Sequence, residues 1–102
     1  MSTLNIKKEQ NGTELILFLE GRLDTNTSPE LEEVVDSSLD GVEKLIFDVA
    51  DLAYISSAGL RVLLAALQTM EDQGEMVMRN VGQEIMDVFE ITGFIDDLTI
   101  ED

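Results

Sequence analysis

The apolar residues of this chain change period repeatedly, and that pattern restricts the fold more than any other feature. Short runs such as Leu15–Leu19 and Leu45–Val49 are apolar at nearly every position, as covered strands are. Between such runs lie segments in which Leu and Val recur every three or four residues, the period of a helix with one buried face. Strands alternating with helices call for a mixed or largely parallel sheet with helices packed on it.

In chain order, "TLNIKKEQ" alternates weakly and "ELILFLEGRL" carries a continuous apolar centre. Asn11-Gly12-Thr13 between them reads as a hairpin turn. "DTNTSPELEEVVDSSL" then predicts a loop running into a helix. Ser28 is its expected N-cap and Pro29 its first residue, with Glu30, Glu32 and Glu33 near its positive end. Leu31, Val34, Val35 and Leu39 share a face, and Gly41 stops the helix.

"KLIFDVADL" gives a strand over Leu45–Val49, expected to be covered on both faces. A second helix is expected to start around Ser57–Gly59 and reach Gln73 before Gly74, with Leu60, Leu63, Leu64, Leu67 and Met70 inward. That register turns Arg61, Val62, Ala65 and Thr69 outward. A strand over Glu75–Val81 and a third helix with Ile85, Val88 and Phe89 inward follow. Gly93 ends that helix, and a last strand is expected over Asp97–Glu101. The predicted order is β-β-α-β-α-β-α-β, one α/β domain over residues 1–102.

Composition narrows the function. Twenty-two acidic side chains against six basic ones give a net charge of −16. Such a chain repels nucleic acid, whose binding rests on Lys and Arg, and disfavours an anionic membrane surface. It suits a protein partner that carries a basic patch. No cysteine and no histidine are present, which argues against thiol chemistry, zinc sites and a Ser-His-Asp hydrolase. No glycine-rich nucleotide loop is visible, and the terminal acids Asp96, Asp97, Glu101 and Asp102 read as solvated rather than as a metal cage. No cofactor or metal is therefore expected. With no signal-peptide pattern and no long apolar run, the expectation is a soluble, cytoplasmic protein. High charge and the lack of a broad apolar stripe point to a monomer in the free state.

The stretch that invites a functional reading is "DLAYISSAGLRVLL", Asp51–Leu64. Ser56 and Ser57 sit side by side where a strand runs into the second helix. A serine at a helix start satisfies an orphan backbone N–H, which is the bland reading. The same place also favours a phosphate, because anions sit well on helix N-termini. Without a histidine base and without a G-x-S-x-G elbow, a serine here fits the receipt of a group better than attack on a substrate.

"LAYISSAGLRVLL", with "EGRLDTNTSPELEE" before it and "FEITGF" after it, resembles the STAS domain of bacterial anti-sigma factor antagonists over essentially the whole chain. The resemblance implies a non-enzymatic partner-switching protein. In that family the unphosphorylated antagonist binds an anti-sigma factor and frees a sigma factor for transcription. The anti-sigma factor is also a serine kinase that inactivates the antagonist, and a serine phosphatase reverses this. Counting back from Gly59, the implied phosphoacceptor is Ser57, with Ser56 the alternative. This chain has Ser56 where many members have Asp, Ala58 in place of a second Ser or Thr, and Arg61 at a frequent Gly. Asp24 matches an acidic position near the acceptor.

Asp24, Ser56, Ser57, Arg61, Val62 and Ala65 form the expected partner-contact set. A STAS domain serving as a constitutive scaffold in a lipid-transport or signalling assembly is the rival reading. A receiver domain using Asp48 is disfavoured, because no Lys follows Lys44.

Overall fold

The computed structural model describes residues 3–101. Asn11 pairs with Glu14 across a turn in which Gly12 takes φ +62°, so β1 (Leu4–Asn11) and β2 (Glu14–Leu23) form the expected antiparallel hairpin. Three helical crossovers follow: α1 (Ser28–Ser38) leads to β3 (Lys44–Ile55), α2 (Ser57–Glu71) to β4 (Glu75–Arg79), and α3 (Gln83–Thr92) to β5 (Thr99–Glu101). The five strands lie in the order β1-β2-β3-β4-β5, parallel from β2 onward. This is the anticipated α/β architecture and element order.

Right-handed crossovers that always step the same way leave their helices on one face of a sheet. The core has that arrangement. Leu15, Leu17 and Leu19 of β2, Leu45, Phe47 and Val49 of β3, and Met76 and Met78 of β4 share one cluster with Leu31, Val35, Leu60, Leu63, Met70, Ile85 and Phe89 of the helices. β3 is buried on both faces over Leu45–Val49, as expected, but helices cover only one of them. The opposite face carries Ile16, Ile46 and Val77, with half-buried Phe18 against them and no helical residue in the cluster. The Lys7 ammonium and the Arg79 guanidinium lie over the Phe18 ring, 5.8 and 5.9 Å from its centroid, at cation–π range.

Asp48 also faces this side and is only 7% exposed. Its Oδ2 accepts from Arg79 Nε (3.1 Å), the Arg79 terminal nitrogen (3.0 Å) and Asn80 Nδ2 (3.1 Å), and its Oδ1 accepts from Ala50 N (3.1 Å). A buried carboxylate is tolerable because it is paired and hydrogen-bonded. Asp48 thus ties β3 to the end of β4.

Several boundaries differ from the sequence reading. β3 does not stop at Val49 but continues to Ile55, staying paired with β2 through two register shifts. The second shift falls at Gly21, whose φ of +101° and close approach to the Thr3 carbonyl leave no room for a side chain. Thr27, not Ser28, is the N-cap of α1, and Ser28 and Pro29 lie inside its first turn. A 3-10 turn at Phe94–Asp96 precedes a final strand shorter than expected.

The buried arc of α2 is Gly59, Leu60, Val62, Leu63, Ala66 and Met70, while Leu64 and Leu67 are half-buried. This arc is rotated from the predicted one because α2 packs against α1 as well as against the sheet. Val62, expected to face outward, is accordingly buried at 5% exposure.

Candidate functional site

The parallel register that pairs Leu23 with Ile55 brings the ends of β2 and β3 out at the same edge of the sheet. One chain then enters the loop before α1 and the other enters α2. The Ser56 N–H donates to the Leu23 carbonyl (2.9 Å), which fixes the two exits side by side. Gly59 lets α2 come down onto this edge. A Cβ there would sit 2.7 Å from Leu23 Cγ and 3.0 Å from Ile55 Cγ1, closer than a packed core tolerates.

At this junction the two serines separate. Ser56 is the N-cap of α2: its backbone is extended (φ −98°, ψ 174°) and its Oγ accepts from Gly59 N at 3.3 Å. Its carbonyl accepts from Leu60 N at 2.9 Å, closing the first turn. Ser57 is the first helical residue, is exposed, and its hydroxyl makes no hydrogen bond among the described residues. The local chain therefore uses one serine to build the helix start and leaves the other free on its surface.

The facing loop is closed by its own hydrogen bonds. Asp24 Oδ1 accepts from the backbone N–H groups of Asn26 (3.0 Å) and Thr27 (3.1 Å), a carboxylate-closed turn. Thr27 Oγ1 accepts from Asp24 N and donates to the Arg22 carbonyl, both at 2.8 Å, and Ser28 Oγ donates to the Asp24 carbonyl at 2.6 Å. Asp24 Oδ2 remains 3.8 Å from Arg22 Nε, and the Arg22 guanidinium stacks on the Tyr54 ring 4.3 Å from its centroid. Asp24 is thus the organiser of this loop as well as an acidic group on its surface.

Between α1 and α2 a hollow of ≈ 210 Å³ opens next to the first turn of α2, with Ala58, Arg61 and Val62 on one wall and Thr25, Ser28 and Glu32 among those opposite. A second hollow of ≈ 140 Å³ lies further along the same seam, where Ala65 and Thr69 face Val35 and Asp36. Ser57, Arg61, Ala65 and Thr69 form the exposed ridge of α2 above these hollows. Of the expected contact set, the structure places Arg61 and Ala65 on this surface and puts Val62 beneath it as the buried floor. Asp24 belongs to the adjoining loop.

Arg22, Tyr54 and Glu32 were not marked as site residues by the sequence. Arg22 and Tyr54 stand two and three residues before the marked Asp24 and Ser57, and only the strand register reveals that they face each other. Glu32 read simply as a helix-start acid. Asp102, from the terminal acidic group, lies outside the described residues.

These features define a two-layer α/β domain that presents a free serine at a strand-to-helix turn. The STAS domain family matches the chain over residues 5–102, and the chain belongs to that family. BtrV of Bordetella bronchiseptica is 40% identical over 83 residues, covering 79% of this chain and 72% of that protein. Among solved structures, an anti-sigma factor antagonist from Mycobacterium paratuberculosis superposes with a TM-score of 0.86 at 18% identity, over 95% of this chain and 84% of that one. The phosphorylated form of the Bacillus cell fate determinant SpoIIAA superposes with a TM-score of 0.75 at 17% identity, over 96% and 92% of the two chains. At such identities the structures establish the shared fold.

Proposed function

We propose that this protein is an anti-sigma factor antagonist that changes partner according to the state of Ser57. Unmodified, it binds an anti-sigma factor and frees a sigma factor. The anti-sigma factor, acting as a serine kinase, transfers the γ-phosphoryl group of ATP to Ser57 Oγ. ADP leaves, and the hydroxyl proton goes to a base on the kinase. A serine phosphatase hydrolyses the ester, returning the free hydroxyl and inorganic phosphate. The protein acts in the cytoplasm, is monomeric when free, and has no catalytic role of its own.

The observation that carries this reading is the split between the serines. Ser56 caps α2, whereas Ser57 is exposed and unbonded one residue later. Membership of the STAS family supports it, as does the likeness to an anti-sigma factor antagonist and to a phosphorylated member of the same fold. The contact surface in this reading is Ser57, Arg61 and Ala65 on α2 with Asp24 on the neighbouring loop. Val62 supports it from below, and Ser56 holds the turn.

The switch must be local. One phosphate adds roughly −1.5 to −2 charges, little beside a net charge of −16. The start of α2 tolerates that charge, so no refolding is expected. In a closely packed interface, however, an unpaired charge costs several kcal/mol, and ~3 kcal/mol is more than a hundredfold in affinity.

The test is a pair of affinity captures from host lysate with Ser57→Ala and Ser57→Asp baits, read by mass spectrometry. Capture of a kinase-like regulator by the alanine form and its loss from the aspartate form is the expected result. Equal capture of the same partners by both would favour the constitutive scaffold instead.

A further inference from the structure

The chain has six basic side chains, and five of them are engaged. Lys7 lies over Phe18, Lys8 Nζ donates to Ser38 Oγ (3.1 Å), Arg22 pairs with Asp24 and Tyr54, Lys44 is 3.8 Å from Glu75, and Arg79 holds Asp48. Arg61 alone has no ion pair, hydrogen bond or ring contact among the described residues. An unpaired arginine stands out in a chain with 22 acids. It is also exposed, and it sits one helical turn after the unbonded Ser57.

Residues four apart on a helix are neighbours, with about 5–6 Å between their Cβ atoms. Helical side chains lean toward the N-terminus, so the Arg61 side chain has the reach to fold back over the turn that begins with Ser57. An anion preceding a cation by four residues is the favourable order, because each charge then also suits the helix dipole. A guanidinium further matches phosphate oxygens in a two-point fork that a lysine cannot reproduce.

We infer that Arg61 is the intramolecular counter-ion of a phosphate carried by Ser57, a positioning residue that holds the modified side chain against α2. This rests on the reading of Ser57 as the phosphorylated residue. Phosphorylation then acts twice at the contact surface. It adds a charged group at Ser57, and it withdraws from the edge of the α1–α2 hollow the one cation there that is free to meet a partner's carboxylate.

The test uses full-length protein carrying phosphoserine at position 57, installed during translation by an expanded genetic code so that no kinase is needed. Phosphorus NMR titration gives the second pKa of the phosphate in the native background and in Arg61→Gln and Arg61→Lys. A cation paired with the phosphate favours the dianion, so that pKa should lie about half a unit lower in the native background than in Arg61→Gln. Arg61→Lys should restore only part of the shift. The helix start is common to all three proteins and cancels.

Equal values in the native and Arg61→Gln proteins would overturn the pairing, whatever the partner does. The same phosphoserine protein, titrated with the anti-sigma factor, reads the switch separately. A lowered pKa alongside undiminished partner binding would sink the switch and leave the Arg61–phosphate pair standing.

Discussion

Removing the hydroxyl of Ser56 and that of Ser57 should have different costs, because only the first is bonded. Ser56 Oγ caps Gly59 N, so Ser56→Ala is expected to lower stability by about 1 kcal/mol, as loss of an N-cap does. Ser57→Ala removes an exposed hydroxyl without a partner and should stay within about 0.5 kcal/mol of the parent. Urea unfolding of the two variants, compared at unchanged m-value, reads the difference. Losses of equal size, or a larger loss at Ser57, would mean that Ser57 is part of the helix start and not a free group. The sequence marked both serines but could not divide these roles. The division hangs on a single residue of register, fixed by the pairing of Leu23 with Ile55 and the Ser56-to-Leu23 hydrogen bond across the strands. No local pattern in "YISSAGL" carries that information.

At the scale of elements, the order of strands and helices was legible because period and turn residues are local properties of a sequence. What covers each element was not. The run "LIFDV" is buried throughout, yet only Leu45, Phe47 and Val49 meet the helices; Ile46 and Asp48 are hidden by neighbours on the sheet's other face. Val62 was misread for a related reason. The periodicity of α2 gives a hydrophobic face but not its second neighbour, and α1 rotates the buried arc toward Val62 and Ala66.

The Asp48 network makes this open face testable. Asp48→Ala would strand the Arg79 guanidinium and remove the acceptor of Asn80, so a loss of about 2–3 kcal/mol is expected; it sits below the range for fully buried pairs because the Arg79 side chain is 26% exposed. Asp48→Leu combined with Arg79→Leu should recover much of that loss, since an apolar pair leaves no charge unmatched. Thermal or urea unfolding decides. A fully stable Asp48→Ala protein would show that the network does not tie β3 to β4.

For the molecule as a whole, the proposed function gives the charge and the Ser57 surface separate tasks: the first would govern how partners meet, the second whether they stay. A net charge of −16 would steer a basic partner toward the protein over distances that salt screens. The proposed switch works at contact range, where screening is weak, and this separates the two effects experimentally. The most direct measurement is calorimetric titration of the cognate anti-sigma factor with unmodified protein and with protein carrying phosphoserine at 57, at low and at high salt. The phosphate is expected to weaken binding by a hundredfold or more, and the ratio between the two forms should persist at high salt while both affinities fall. Equal affinities for the two forms, or a ratio that vanishes as salt rises, would contradict this.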